Sequence, residues 1–259
     1  MNLSDPFKIL SPNERWAPTQ GQMDAFQNAY EKLLPPLVYK IRIAVAKWRD
    51  EGYQGASETS KSLLNFWFNQ EHLIGQTKFS FFFSQREAIE SIIYLYEIAK
   101  ARDKYELVRF DSSQRVSTGM FEETWTRYVI KMATGAGKTK VMGLTLVWSY
   151  FHKLYEAGST LSKDFLVIAP NIIVLNRLRK DFDGLKMFFE EPFFPDNGYD
   201  DKDWKNDFQL TLHIQDDLKP ITEPGNIFLT NIHRVFFNEE PEQNFETTFL
   251  GVKPKPDAD

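Results

Sequence analysis

The run Ala133-Thr134-Gly135-Ala136-Gly137-Lys138-Thr139 combines glycines, a lysine and a threonine hydroxyl within one short stretch. A nucleotide triphosphate needs those parts. Its phosphates sit in a concave ring of backbone N–H groups. Gly135 and Gly137 let the chain curl and approach closely with no Cβ in the way, and Thr134 and Ala136 complete the cup through their backbone. Lys138 supplies a cation for the β- and γ-oxygens and Thr139 a hydroxyl for Mg2+. A helix beginning at Lys138 adds the positive end of its dipole. The strict G-x-x-x-x-G-K-[ST] form is missed, because Met132 stands at its first glycine position. That position lies at the end of the preceding strand, farthest from the γ-phosphate, so the loss is tolerable. The plain alternative is a glycine-rich turn that binds nothing, and the strand–loop–helix setting argues against it.

The setting is read from apolar spacing. Arg127–Met132 predicts a short apolar strand, and Lys138–Tyr155 a helix with Val141, Leu144, Trp148, Phe151 and Tyr155 on one face. Phe165–Ala169 is a continuous apolar run, the pattern of a strand buried on both sheet faces. Pro170 stops it, and Asn171 can cap a following helix that carries Ile173, Val174, Leu175 and Leu178. Phe208–Ile214 and Asn226–Thr230 read as further strands, and Ser84–Ala101 as a helix with a broad apolar stripe. Strands alternating with helices predict an α/β domain built on a parallel sheet.

Before it, the first stretch reads as helical: Met23–Leu34, broken at Pro35, then Val38–Trp48, then Ser57–Phe68 with Ser57 or Thr59 as its cap. Lys40, Arg42, Lys47 and Arg49 could face phosphates, although a solvated helix face is the simpler reading. Arg102–Glu123 reads as a loop or small hairpin, Glu190–Asp207 as an acidic loop, and the polar tail after Val252 as disordered.

Composition narrows the class. With 42% apolar and 26% charged residues, the 259-residue chain has the make-up of a soluble globular protein. Zero cysteines exclude a disulfide scaffold, cysteine-ligated zinc, iron–sulfur clusters and a thiol nucleophile. His72, His152, His213 and His233 show no metal-ligand spacing. No apolar run approaches the roughly 18 residues that span a bilayer, and the N-terminus has no secretion-signal pattern, so no membrane partner and a cytoplasmic location are expected. A net charge of −5 argues against whole-surface nucleic-acid binding but leaves room for a local basic groove.

Gln85 lies about fifty residues before the glycine-rich loop. Its amide offers a donor and an acceptor, which matches the N6/N7 edge of adenine. A glutamine at a helix start means little alone; its company gives it weight. Gln85 in Phe-Phe-Ser-Gln-Arg-Glu-Ala-Ile-Glu (82–90), Lys-Met-Ala-Thr-Gly (131–135) running into Gly-Lys-Thr, Val-Ile-Ala-Pro-Asn (167–171) and Ile-Phe-Leu-Thr-Asn-Ile-His-Arg (227–234) resemble the opening motifs of superfamily 2 DEAD/DEAH-like helicases. They are most similar to the Res subunit of type III restriction enzymes. The likeness spans roughly Phe79–Phe236 and is absent from the first seventy residues or so.

The resemblance implies a RecA-like P-loop NTPase fold and an ATP-dependent DNA translocase. Gln85 would read adenine, and Thr134, Gly135, Ala136, Gly137, Lys138 and Thr139 would hold ATP and Mg2+, with Lys138 and Thr139 doing the catalytic work. Pro170, Asn171, Thr230 and Asn231 would touch the DNA backbone. It also implies duplex DNA as a partner and a methyltransferase subunit as a further candidate. The domain reading that follows is a helical N-terminal region over 1–75, a first RecA-like motor domain over 76–250, and a disordered tail over 251–259.

The family pattern departs here in one respect. No apolar strand runs into an Asp-Glu pair, the acidic box that holds Mg2+ and orients water. The expectation is a chain that ends inside the first motor domain and binds nucleotide better than it hydrolyses it. Pro195-Asp196 and Asp203-Trp204-Lys205 mimic a nuclease P-D…D-x-K pattern, but the spacing is short and the setting is an acidic loop. Two rivals stand beside the motor reading: another P-loop enzyme such as a small-molecule kinase or a GTPase, and a truncated nucleotide-binding module without activity.

Overall fold

Apolar spacing closes Val38–Asp50, Glu58–Asn69, Phe83–Ile93 and Lys138–Tyr155 into helices α1 to α4 in a computed structural model. It describes residues 5–12, 36–114, 116–120, 125–215, 217 and 219–235. The helix expected over Met23–Leu34 and the tail after Val252 lie outside the described residues. The chain divides into two compact units: Met1–Leu161 with Glu190–Phe208, and Ser162–Phe189 with Gln209–Asp259.

In the first unit, Ser57 caps α2, its Oγ accepting from Ser60 N at 3.2 Å. A hairpin follows, β1 (His72–Ile74) paired antiparallel with β2 (Thr77–Phe79) around Gly75 at φ 62°. Its strands are too short to show an alternation, so the sequence pattern does not reveal it. The helix expected to run on to Ala101 changes form after Ile93, where a π-helical turn spans Tyr94–Ile98. That turn carries Glu97 into the interior. Ser57 N donates to Glu97 Oε2 at 2.9 Å, Trp148 Nε1 donates to Oε1 at 3.2 Å, Ser60 Oγ bonds Oε1, and His152 Nε2 lies 3.3 Å from Oε1.

The largest surprise is Glu190–Asp207. Its aromatics turn inward: Phe193, Phe194 and Trp204 are buried, as is Phe208 just after it, while Glu190, Asp196, Asp200, Asp201 and Asp203 are exposed. The buried rings form a sleeve on α4, with Trp204 edge-on to Phe151 at 4.7 Å and Phe208 against Tyr150 at 5.3 Å. Tyr155 donates to Asp207 Oδ2 at 2.8 Å, and Trp67 Nε1 to the Phe193 carbonyl at 2.7 Å. The segment is a packed part of the core with an acidic rim.

The second unit holds the parallel sheet, in the order β3 (Asp164–Ala169), β5 (Asn226–Asn231), β4 (Thr211–Ile214). Helix α5, Ile172–Phe182, packs on β3 and β5 and buries Leu175 and Phe182. The α/β class with a parallel sheet is as the alternation predicts.

Two further sequence expectations are corrected. β3 is not buried on both faces: Val167 and Ala169 are buried, but Leu166 is 60% exposed and Ile168 41%. The helix covers one sheet face, so the side chains alternate in exposure along the strand. Arg127–Met132 is not a strand. An apolar run becomes one only when a neighbour takes its N–H and C=O groups, and among the described residues the sheet pairs β3, β5 and β4 alone. No helix among the described residues is long and apolar enough to cross a membrane.

Burial alone would raise the Glu97 pKa, but the bonds from His152, Ser57 and Ser60 outweigh it and hold it below the usual 4.5. A lowered folded-state pKa contributes stability that is present above about pH 4.5 and is lost as pH falls through the folded value. Glu97→Gln should therefore cost about 2 kcal/mol near neutral pH, and less in acid. Urea unfolding at neutral pH and well below pH 4.5 checks this. A difference that stays constant with pH would mean that the Glu97 charge does not carry the effect.

Candidate functional site

The glycine-rich loop stands at the start of α4. Gly135 and Gly137 take φ of 81° and 77°, left-handed values that favour glycine. Gly137 caps α4, its carbonyl accepting from Lys140 N at 3.0 Å, while Ala136 N donates to the Ala133 carbonyl at 3.3 Å in the turn. Thr134, Gly135 and Lys138 are exposed, and Ala136, Gly137 and Thr139 are half-buried. Lys138 Nζ folds back and donates to the Ala133 carbonyl at 2.9 Å. The loop thus offers an accessible, curled backbone with an ammonium group at its mouth and a helix N-terminus beneath it, a fit for an anionic polyphosphate.

Gln85 meets this loop directly. It sits at the third position of α3, buried at 4% exposure, and its Nε2 donates to the Ala136 carbonyl at 3.1 Å. Its Oε1 accepts from Phe82 N at 2.9 Å, capping the helix. Those bonds use one of the amide's two hydrogens and one of its two lone pairs. A Cβ built on Gly137 would lie 2.1 Å from Gln85 Nε2, so the glycine makes room for the glutamine.

One residue beyond Thr139, Lys140 pairs with Glu191 and lies 5.7 Å over the Phe79 ring. That pair ties the first turn of α4 to the aromatic sleeve. The sequence reading missed it, and the only available signal was a lone lysine following the Gly-Lys-Thr.

The four remaining residues lie in the second unit. Parallel register places Ala169 beside Asn231 and Ile168 beside Thr230, so Pro170, Asn171, Thr230 and Asn231 gather at the same end of the sheet. Asn171 Oδ1 accepts from Val174 N at 2.9 Å and so caps α5. Asn231 is buried, and its Oδ1 has no hydrogen-bond partner among the described residues. A buried orphan acceptor at a strand end is an unusual cost.

The helix cations do not form a phosphate-facing surface. Lys40 Nζ donates to the Asp111 carbonyl at 2.7 Å, Arg42 meets Glu87 at 3.2 Å, Lys47 meets Glu51 at 3.7 Å, and Arg49 is buried against Glu90. Carboxylates thus pair with Arg42, Lys47 and Arg49, and a backbone carbonyl takes Lys40. In the nuclease-like segment Lys205 pairs with Asp196, and no group of three or more potential metal-ligating side chains occurs among the described residues.

The family model described as "Type III restriction enzyme, res subunit" matches residues 78–251, about two thirds of the chain. No curated protein and no solved structure matches it.

Gly137→Ala should strain the left-handed turn by about 1–2 kcal/mol and push the Gln85 amide off the Ala136 carbonyl. A lowered melting midpoint is expected. An unchanged midpoint would mean that the loop adopts another turn without loss.

Proposed function

Because the chain belongs to the type III restriction enzyme Res-subunit family, a DEAD/DEAH-like superfamily 2 helicase family with a RecA-like fold, we propose that it is the ATP-binding part of a DNA-dependent ATPase. The family is one of helicase-like P-loop ATPases. The observation that carries the finer reading is the contact of Gln85 with the curled loop, one group suited to a base and the other to phosphates.

In this reading the backbone N–H groups from Thr134 to Thr139 hold the phosphate oxygens. Lys138 leaves the Ala133 carbonyl to meet the β- and γ-oxygens, and the Thr139 hydroxyl takes a place around Mg2+. The remaining hydrogen and lone pair of the Gln85 amide face the adenine edge. Mg·ATP, when bound, supplies the phosphoanhydride whose hydrolysis drives such motors. No apolar strand in the sequence leads into an Asp-Glu pair, so the activity proposed for this polypeptide by itself is nucleotide binding.

Pro170, Asn171, Thr230 and Asn231 are proposed to meet the DNA backbone. Short polar groups and a helix N-terminus at one end of a parallel sheet suit phosphate contacts that do not depend on base sequence. Binding of that kind weakens steeply as salt rises. A methyltransferase subunit remains a proposed partner on the strength of the family alone.

Calorimetry with a non-hydrolysable ATP analogue tests the assignment. Lys138→Ala should abolish measurable binding, and unchanged affinity would remove Lys138 from the site. Gln85→Ala should cost ATP about tenfold while costing tripolyphosphate much less. Equal losses for both would make Gln85 a purely structural residue.

A further inference from the structure

Helix α3, which carries Gln85, buries an ionic cluster that none of the proposed nucleotide contacts uses. The Glu90 side chain is wholly buried. Arg49 Nε donates to both of its oxygens, at 3.0 and 2.9 Å, and Arg49 Nη2 bonds Oε2. Tyr53 OH donates to Oε1 at 2.7 Å, and Arg86 Nε to the same oxygen at 2.8 Å. Arg86 Nη2 then closes the ring by donating to Tyr53 OH at 2.9 Å. One helix turn away, Arg42 meets Glu87 at 3.2 Å. Arg42 and Arg49 are two turns apart on α1, so both project from the same stripe.

Such a cluster is a poor way to gain stability. Desolvating a carboxylate and two guanidinium groups costs about as much as their attraction returns. What it does impose is register. Two apolar helices can slide or roll past one another at small cost, whereas a forked guanidinium on a buried carboxylate tolerates a single arrangement. A slip of α3 by one turn, about 5.4 Å, would carry the Gln85 amide away from the Ala136 carbonyl.

We propose that Arg49 and Tyr53 are positioning residues for nucleotide-base recognition, holding α3 in the register that presents Gln85 to the phosphate loop and to the base. Both precede the family-matched residues 78–251, so the reach of the site extends into the helical segment before them. The proposal rests on the reading of Gln85 as the adenine contact.

The test compares the full chain with Tyr53→Phe, which keeps the ring and removes only the hydroxyl, and with Arg49→Lys, which keeps the charge and removes the fork. Affinities for Mg·ATP, Mg·GTP and Mg·tripolyphosphate are measured by calorimetry. In the parent, ATP should bind more tightly than the other two. In each variant ATP should weaken by about tenfold, with tripolyphosphate within twofold of the parent. In a Gln85→Ala background, Tyr53→Phe should change nothing further. Should Arg49→Lys fail to fold, Tyr53→Phe alone decides. An unchanged preference for ATP in the variants would overturn the proposal and leave the assignment of Gln85 standing. So would equal losses for ATP and tripolyphosphate. A parent with no preference for ATP over tripolyphosphate would overturn both.

Discussion

The proposed nucleotide site depends on the absence of one side chain. Gly137 turns the backbone into the left-handed region at the start of α4, and in the space where a Cβ would stand, the Gln85 amide reaches the Ala136 carbonyl. Segments about fifty residues apart in sequence thereby become one site. In the same turn Lys138 donates to the Ala133 carbonyl.

Around that contact the first unit is built to hold the two helices still. The aromatic sleeve from Glu190–Phe208 wraps α4, and Lys140 with Glu191 fastens it at the helix's first turn. On α3 the Arg49–Glu90–Arg86–Tyr53 cluster does the corresponding work. Burial works against the Arg49 charge, yet Glu90 beside it lifts its pKa above the ordinary value, and burial together with Glu90 raises that of the Tyr53 hydroxyl. Both therefore stay protonated across the physiological range, and the cluster keeps its pattern of donors.

The sequence was most legible where the chemistry is local. The Gly-Lys-Thr loop, the α4 stripe and the Ser57 and Asn171 caps could all be read from spacing, since each depends on residues a few positions apart. What could not be read depends on distant partners. Arg127–Met132 looks like a strand, yet no ladder forms there. Leu166 and Ile168 look buried because apolar content alone cannot say whether a second layer covers the sheet. The acids of Glu190–Asp207 concealed the packing of its aromatics. The cations of α1 invited a phosphate reading, because charge is visible in a sequence and the carboxylate that neutralises it is not. Glu87 and Glu90, set among the apolar residues of α3, were the available sign of that buried pairing.

The central claim is that the backbone amides of the loop form an anion cup for a nucleotide tail. Amide hydrogen exchange across residues 133–140, with and without saturating Mg·ATP, addresses it most directly. The account requires the amides of Gly135 through Thr139 to become strongly protected on adding nucleotide. Exchange there that is the same in both conditions would contradict it.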